Sequence, residues 1–265
     1  MRREHLTAFQ QWFSHYVEIS HSESPQFHSW IKLKDSHTRR VFEKITRIGS
    51  SLKLSEEELL TAGAIGLFHD VGRFRQIKLY GTFNDGRSEN HATLGARVLK
   101  EYGVLAELPE EESSVIIKAI ELHNLRDLPE GLPDRLLLFA HLIRDADKLD
   151  ILEVFSRYYT RRDDEFATAL DSYLPDTPGY SRALVEDLLK NKRCNYSDIK
   201  NRNDRKILNL SWVFDINFPY TLSEIFKNGF IDIMIGSLPQ SSEIEAIHRL
   251  IDDYAAQRLG VLPRS

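Results

Sequence analysis

Cysteine is nearly absent from this chain: Cys194 is the only one among 265 residues. A single thiol cannot form an intramolecular disulfide, and the cysteine-rich class of zinc site is excluded as well. Any metal that this protein binds must therefore be held by histidine and carboxylate side chains. The sequence offers ten histidines and 40 acidic residues for that purpose.

Long apolar segments are also missing. No stretch approaches the ~18 consecutive apolar residues of a membrane-spanning helix. The first residues, Met-Arg-Arg-Glu-His, are polar and lack the apolar core of a secretion signal. We therefore expect no membrane partner and a cytoplasmic location.

The sequence has no excess of positive charge. Lysine and arginine number 35 against 40 aspartates and glutamates, which gives a net charge of −5. Sequence-independent binding to nucleic acid needs a field of lysine and arginine, so a nucleic-acid partner is not expected. Apolar residues make up 42% and charged residues 28%, which is ordinary for a globular protein of this length.

Apolar residues recur at spacings of three and four along most of the chain, which predicts an all-α fold. Ser55 and Glu58 have the spacing of a capping box at the start of one helix. Residues 136–142 are apolar nearly all round, which predicts a central buried helix. Because the composition changes near residue 156, we predict a helical core over residues 1–155. Residues 156–265 then form a mostly helical C-terminal extension that packs on or caps the core.

Residues 72–90 interrupt this helical pattern. They contain several aromatics, glycines and the turn-forming triplet Asn84-Asp85-Gly86. We interpret them as a long ordered loop over a site, because loops of this length in compact domains are often functional.

Several histidines and aspartates fall on the apolar faces of the predicted helices. His37, for example, lies four and eight residues before Val41 and Ile45 and so shares their face. One buried histidine is usually a neutral ring that donates a hydrogen bond to a carbonyl oxygen. Five such positions on successive helices are harder to explain in that way: His37, His69, His91, His123 and Asp147.

The carboxylates of Asp70 and Asp147 strengthen this interpretation. A buried ionised aspartate costs several kcal/mol unless it is paired, so both need a cation nearby. Arg73 or Lys148 could provide that charge. A divalent metal would satisfy the carboxylates and the histidines together, and mixed imidazole and carboxylate ligation suits Mn, Fe, Co, Ni or Zn better than Ca or Mg.

Three segments together resemble the H…HD…D pattern of the HD-domain phosphohydrolase superfamily. They are KDSHTRRV at residues 34–41, FHDVGRF at residues 68–74 and ADKL at residues 146–149. The second is similar to the family's HD-(I/V)-G-(K/R) form. The resemblance covers about residues 30–155. It implies a helical bundle that binds one divalent transition metal, such as manganese, through His37, His69, Asp70 and Asp147.

The resemblance also implies a possible second ion, bridged to the first by Asp70. His91, within NHATLGA at residues 90–96, and His123 look like the extra ligands of the family's two-metal branch. The cyclic-dinucleotide branch, however, usually has two consecutive histidines where this chain has His123 and Asn124, and it has a loop signature that this chain lacks. Two alternatives stay open: the two histidines bind a second ion, or they donate hydrogen bonds to a substrate phosphate.

The activity implied by the resemblance is hydrolysis of a phosphate ester, with a nucleotide as the expected substrate, by a metal-activated water. The candidate catalytic residues are Asp70, Arg73 and Lys148, and the candidate substrate-binding residues are Arg73, His91, His123 and Lys148. One alternative is a two-metal phosphodiesterase that acts on a cyclic nucleotide or dinucleotide. The other is a catalytically silent signalling or ligand-binding module. A homodimer is left open.

Overall fold

The structure, a computed structural model, describes residues 1–21, 25–161 and 174–261. Within these ranges the chain forms helices and connecting turns without β-strands, which confirms the predicted all-α fold. The chain divides into two compact units, Met1–Asp150 and Ile151–Ser265. The predicted boundary at residues 155 and 156 lies close to this division, within the same helix. No helix among the described residues is long and apolar enough to cross a membrane.

The described helices of the first unit are α1 (Arg3–Ser20), α2 (Pro25–Ser51), α3 (Glu56–Phe68), α4 (Val71–Tyr80), α5 (His91–Glu101), α6 (Glu110–Leu122) and the first part of α7 (Asp134–Arg161). They pack around α3. α2 packs against α3 and α4, α1 and α6 also contact α3, and α5 packs against both α4 and α6. Phe13, Ile45, Phe68 and Phe139 are fully buried in the core of this unit.

Local signals in the sequence set several of these helix ends. α3 begins at the predicted capping box, where the Ser55 amide donates to Glu58 Oε2 at 2.8 Å and the Glu58 amide donates to Ser55 Oγ at 3.3 Å. α5 begins directly after its N-cap residue Asn90, whose Oδ1 accepts a hydrogen bond from the Ala92 amide at 2.9 Å. The predicted buried helix lies within α7, where Phe139 is fully buried. These starts and faces fix the direction of the side chains that form the candidate site.

The prediction of a loop over residues 72–90 is wrong in its first half. α4 covers Val71–Tyr80, because Val71, Phe74 and Ile77 recur every three residues and bury one apolar face. The helix ends at Gly81, whose φ of 62° lies in the left-handed region that glycine adopts without strain. The loop is therefore limited to residues 81–90, with a short 3₁₀ helix at Asp85–Arg87.

At Gly72, α4 packs directly against the backbone of α5, which leaves no room for a side chain at this position. A Cβ atom at Gly72 would lie 2.1 Å from the carbonyl oxygen of His91 and 2.5 Å from the amide nitrogen of Gly95. Both neighbours are backbone atoms, so neither can rotate out of the way. The missing side chain at Gly72 thus sets the spacing between the helix after Asp70 and the helix that begins at His91.

Substitution Gly72→Ala is expected to destabilise the protein by about 3 kcal/mol, because an added methyl group must push two helix backbones apart. In thermal unfolding this corresponds to a Tm lower by roughly 6–12 °C. The matched control is Gly236→Ala, where no atom lies within 4 Å of the added Cβ. That variant should keep or slightly raise the Tm, since alanine favours a helix. Equal Tm values for the two variants would contradict the close approach of α4 and α5.

The second unit is also helical in its described part. After the end of α7, its helices are α8 (Arg182–Asn191), α9 (Arg202–Ser211), α10 (Pro219–Lys227), α11 (Phe230–Gly236) and α12 (Ser242–Leu259). α12 packs against α8, α10 and α11, and α9 packs against α8 and α11. That this extension packs on or caps the core stays a prediction.

Candidate metal centre

The side chains predicted to bind metal converge within the first unit. They lie on or directly after five different helices: His37 on α2, His69 and Asp70 after α3, His91 at the start of α5, His123 after α6, and Asp147 on α7. The four histidines are buried, as their helical faces predict, and Asp70 is buried as well. Asp147 is only half-buried, with 21% of its side chain exposed. The group therefore opens toward solvent at Asp147.

One group of donor atoms surrounds His37 Nε2. This atom lies 3.3 Å from His69 Nε2, 3.6 Å from Asp70 Oδ2 and 3.1 Å from Asp147 Oδ1. When two ligand atoms each lie about 2.1 Å from the same transition metal, the distance between them depends on the ligand–metal–ligand angle. It is about 3.0 Å at a right angle and about 3.4 Å at the tetrahedral angle. The mutual spacing of His37, His69 and Asp70 therefore fits a single ion, and Asp147 lies beside this set, 3.9 Å from His69 Nε2. We call these four side chains the first group.

A second group lies on the other side of Asp70. His91 Nε2 is 3.1 Å from His123 Nε2 and 3.3 Å from Asp70 Oδ1. Asp70 thus directs one carboxylate oxygen to each group, Oδ2 to the first and Oδ1 to the second. Each of the two groups could hold a metal ion, and Asp70 belongs to both.

His69 and His123 are held in the same way. Each lies at the C-terminal end of a helix, and its Nδ1 atom faces the carbonyl oxygen three residues earlier. The distances are 2.8 Å from His69 Nδ1 to Gly66 O and 2.7 Å from His123 Nδ1 to Ile120 O. A carbonyl oxygen can only accept, so Nδ1 is the donor, and the neutral ring keeps its lone pair on Nε2.

His37 and His91 are held by carboxylates instead. His37 Nδ1 lies 2.8 Å from Asp150 Oδ2, and His91 Nδ1 lies 2.7 Å from Asp85 Oδ2. An ionised carboxylate also accepts only, so these rings direct Nε2 into the site as well. Histidines that bind metals commonly have such a hydrogen bond at the other ring nitrogen, because it fixes the ring orientation and raises the basicity of the ligand.

The site's pKa values favour neutral rings in the second group. Burial lowers the pKa of His91 and of His123 to about 4, so both carry a free Nε2 lone pair at neutral pH. Burial also lowers the pKa of His69. His37 differs: burial and the charge of Lys34 lower its pKa, but hydrogen bonds to Asp147 and Asp150 outweigh them and raise it. A proton at His37 Nε2 therefore competes with a metal.

The carboxylates at the centre are ionised. Burial raises the pKa of Asp70, but the charges of Lys34, His69 and Arg73 outweigh it and hold the pKa well below its usual value. For Asp147, a hydrogen bond from His37 and the charge on that ring likewise overcome the effect of burial and lower the pKa. Lone pairs and negative charges thus face one another across about 3–4 Å, an arrangement that a divalent cation stabilises. The donor set fits a metal.

Asp150 orients His37 and also pairs with cations. Its fully buried carboxylate accepts from Arg40 Nε at 2.8 Å, Arg40 Nη2 at 2.9 Å and Lys44 Nζ at 2.9 Å. Arg40 and Lys44 lie three and seven residues after His37 on α2, on the same face. The orientation of the His37 ring thus depends on Asp150, which is itself held by two cations of the same helix as His37.

Asp85 gives His91 a comparable support, and sequence reasoning missed it. Its Oδ1 accepts from Arg73 Nη1 and from Gln76 Nε2, both at 2.8 Å, while its Oδ2 faces His91 and Asn124. Burial raises the pKa of Asp85, but the hydrogen bond from His91 and the charge of Arg73 lower it overall. The only sequence signal was its turn-forming neighbourhood, which favours a structural interpretation.

Arg73, predicted to bind phosphate, already has protein partners. Its Nη1 donates to Asp85, to Gln76 Oε1 at 2.8 Å and to the Phe83 carbonyl oxygen at 2.6 Å. Its Nε lies 3.5 Å from Asp70 Oδ1, so the guanidinium links the loop to the centre of the site. Its roles in catalysis and in phosphate binding stay predictions.

Two lysines lie near the ligands. Lys34 Nζ donates to Asp70 Oδ2 at 2.7 Å, a contact that sequence reasoning missed although Lys34 precedes His37 by three residues and shares its face. Lys148, predicted to be catalytic and substrate-binding, follows Asp147 on α7 and is half-buried. Its roles stay predictions.

Comparison with known proteins finds a family for the segment that carries this site. Residues 35–152 match the family model described as the HD domain, and the matched segment includes all the ligands of both groups. No solved structure matches the chain. Residues 35–152 thus contain an HD domain, and the match supports the resemblance of the sequence motif to the HD-domain phosphohydrolase superfamily.

Proposed function

We propose that this protein is a metal-dependent phosphohydrolase whose site binds two divalent ions that share Asp70. The observation that supports this most is the placement of histidine Nε2 atoms on both sides of that carboxylate. The pair His37 and His69 faces Asp70 Oδ2, and the pair His91 and His123 lies at Asp70 Oδ1. Rings packed only for stability have no reason to direct their Nε2 atoms in pairs at one carboxylate.

The hydrogen bonds that orient the histidine rings follow the same pattern in both groups. In each group one histidine is held by a carboxylate, and the other by the carbonyl oxygen of the residue three positions earlier. The carboxylates are Asp150 and Asp85, and the carbonyls are those of Gly66 and Ile120. Such hydrogen bonds prepare all four rings for metal ligation rather than only those of the first group. This repetition favours two ions over one.

The two groups differ in the number of their donors. The first group has four protein ligands, while the second has His91, His123 and the second oxygen of Asp70. We therefore expect the first ion to bind more tightly. Its ligand Asp147, with 21% of its side chain exposed, also leaves that side accessible to a substrate, as the open position of a catalytic site requires.

The residues of the site would have different roles in the reaction. A divalent metal held here supplies Lewis acidity, which activates water as a nucleophile and polarises a phosphoryl oxygen. Lys34 and Arg73 flank Asp70 with 14% and 15% of their side chains exposed, so their charges can attract and orient an anionic phosphate ester. Asp85 and Asp150 keep the imidazoles in the orientation that this requires.

The expected substrate is a phosphate ester of a nucleotide. A phosphodiester of a cyclic nucleotide or dinucleotide is the second candidate. Two ions that share a carboxylate favour it, because such a pair can stabilise both the attacking and the leaving oxygen of a displacement. A catalytically silent module on the same fold is the least consistent alternative, since the donors of both groups are all present.

Metal content and turnover test this function together. Protein stripped of metal and reconstituted with Mn, Co, Ni or Zn should contain about two ions per chain by elemental analysis. It should then hydrolyse members of a panel of nucleoside monophosphates, cyclic nucleotides and cyclic dinucleotides, and a chelator should abolish this activity.

The possible outcomes separate the parts of the proposal. Less than about half an equivalent of any of these metals after reconstitution would contradict a metal-dependent enzyme. One equivalent with full activity would contradict only the second ion. The esters that are cleaved decide between monoester and diester hydrolysis.

A further inference from the structure

An aromatic cluster lies beside the metal centre on the same face of α2. Trp30 precedes Lys34 by four residues and His37 by seven, so the three side chains share one face. Seven residues correspond to roughly 10 Å along a helix. The centroid of the Trp30 ring is 5.5 Å from that of Phe83 and 5.9 Å from that of Phe27. All three rings are half-buried rather than part of the core.

Both cations that flank Asp70 also contact this cluster. Lys34 Nζ lies 5.6 Å from the centroid of the Phe83 ring and only 2.7 Å from Asp70 Oδ2. Arg73 Cζ lies 5.8 Å from the same ring, and Arg73 donates to the Phe83 carbonyl oxygen. The two residues that can attract a phosphate thus also fix the ring beside it. Phosphate-binding and aromatic surfaces are therefore continuous.

We propose that Trp30 and Phe83 form a subsite for the base of a nucleotide substrate. This inference rests on the proposed hydrolytic function and assigns the residues that would bind the base of its substrate. The two turns of α2 between Trp30 and His37 are comparable to the length of a nucleoside monophosphate. A phosphate at the metal centre therefore leaves the base beside the two rings. Sugar phosphates, which lack a base, leave this surface unused.

The chemistry of the surface supports a base rather than an aliphatic group. Flat half-exposed rings stack on the π-face that every nucleobase has, and this stacking depends little on the identity of the base. The nearby positive charges of Lys34 and Arg73 match the anionic phosphate of the same molecule. We therefore expect purine and pyrimidine nucleotides to bind with similar dependence on Trp30.

Kinetics with two esters tests the subsite. For the metal-loaded enzyme, Trp30→Ala should lower kcat/KM for adenosine 5′-monophosphate by roughly 10- to 100-fold, mainly through KM, because a stacked base is lost. The kcat/KM for ribose 5-phosphate should change by less than about twofold, since this ester has no base to stack. Trp30→Phe should restore most of the activity. The matched control is Tyr102→Ala, an exposed aromatic whose ring contacts are with Trp12 and Tyr16.

Binding without turnover gives an independent measurement. The non-hydrolysable phosphonate analogue of adenosine 5′-monophosphate should quench tryptophan fluorescence in the metal-loaded protein, because the base stacks on Trp30. In Trp30→Phe the quenching should disappear, while calorimetry should still detect binding of the same analogue. A side chain that is needed only for folding would not produce this combination.

The results separate this inference from the proposed function. Equal losses for both esters in Trp30→Ala would overturn the subsite, while hydrolysis itself would stand. Quenching that depends on Trp30, without hydrolysis of any ester, would support the subsite and contradict the enzyme. Absence of both quenching and hydrolysis would contradict both.

Discussion

Substitution Asp70→Asn should remove both ions and lower kcat for phosphate-ester hydrolysis by about 10³-fold or more. Asp70 is the residue whose two oxygens face the two groups, Oδ2 at 3.6 Å from His37 Nε2 and Oδ1 at 3.3 Å from His91 Nε2. The amide keeps the shape of the side chain but loses its negative charge and half of its acceptors. Elemental analysis and turnover on the same preparation measure both effects.

The control for this variant is Asp127→Asn, an aspartate in the same unit whose side chain is 58% exposed. It should keep the metal content and the turnover of the unaltered protein. Circular dichroism should show that both variants remain helical. If Asp70→Asn kept two ions, Asp70 would not bridge them, and the proposed arrangement of the site would be wrong.

Substitution His123→Ala should lower the metal content from about two ions to about one and reduce kcat by about 10²-fold. His123 contributes to the second group alone, through an Nε2 atom 3.1 Å from that of His91. The first group keeps all four of its ligands in this variant. Its remaining ion should therefore bind nearly as tightly as before, which titration with the metal can measure.

An exposed histidine, His15, provides the control, because 69% of its side chain is accessible. The variant His15→Ala should bind and turn over substrate like the unaltered protein. The other alternative for His123, a hydrogen bond to the substrate phosphate, leads to a different result. In that case the metal content would stay unchanged, and KM would rise.

The ligands could be found from the sequence because helical periodicity alone determines the face on which a side chain lies. His37 follows the apolar face of α2, and His91 follows that of α5, whatever the rest of the fold. The order of these residues along the chain resembled a family pattern, and the match over residues 35–152 agrees with it. The helical face of each ligand, and the order of the ligands along the chain, were therefore sufficient to predict them.

The residues that form hydrogen bonds to the ligands could not be predicted in this way. Asp85 lies in a loop without periodicity, and its partner Arg73 is twelve residues away. The contact of Lys34 with Asp70 joins residues that are 36 positions apart. Such pairs depend on how helices pack, which no local pattern encodes. Gly72 misled the prediction for the same reason, because glycine usually indicates a turn, whereas here its value lies in a contact with α5.

That contact also determines what can alter the separation of the two groups. Between Gly72 and the backbone of His91 and Gly95 there is no side chain whose rotamer could change. Repacking of the surrounding core can therefore shift individual rings but has little influence on how far His91 lies from Asp70. The spacing of the two ions is in this sense a property of the main chain, and only displacement of a whole helix can change it.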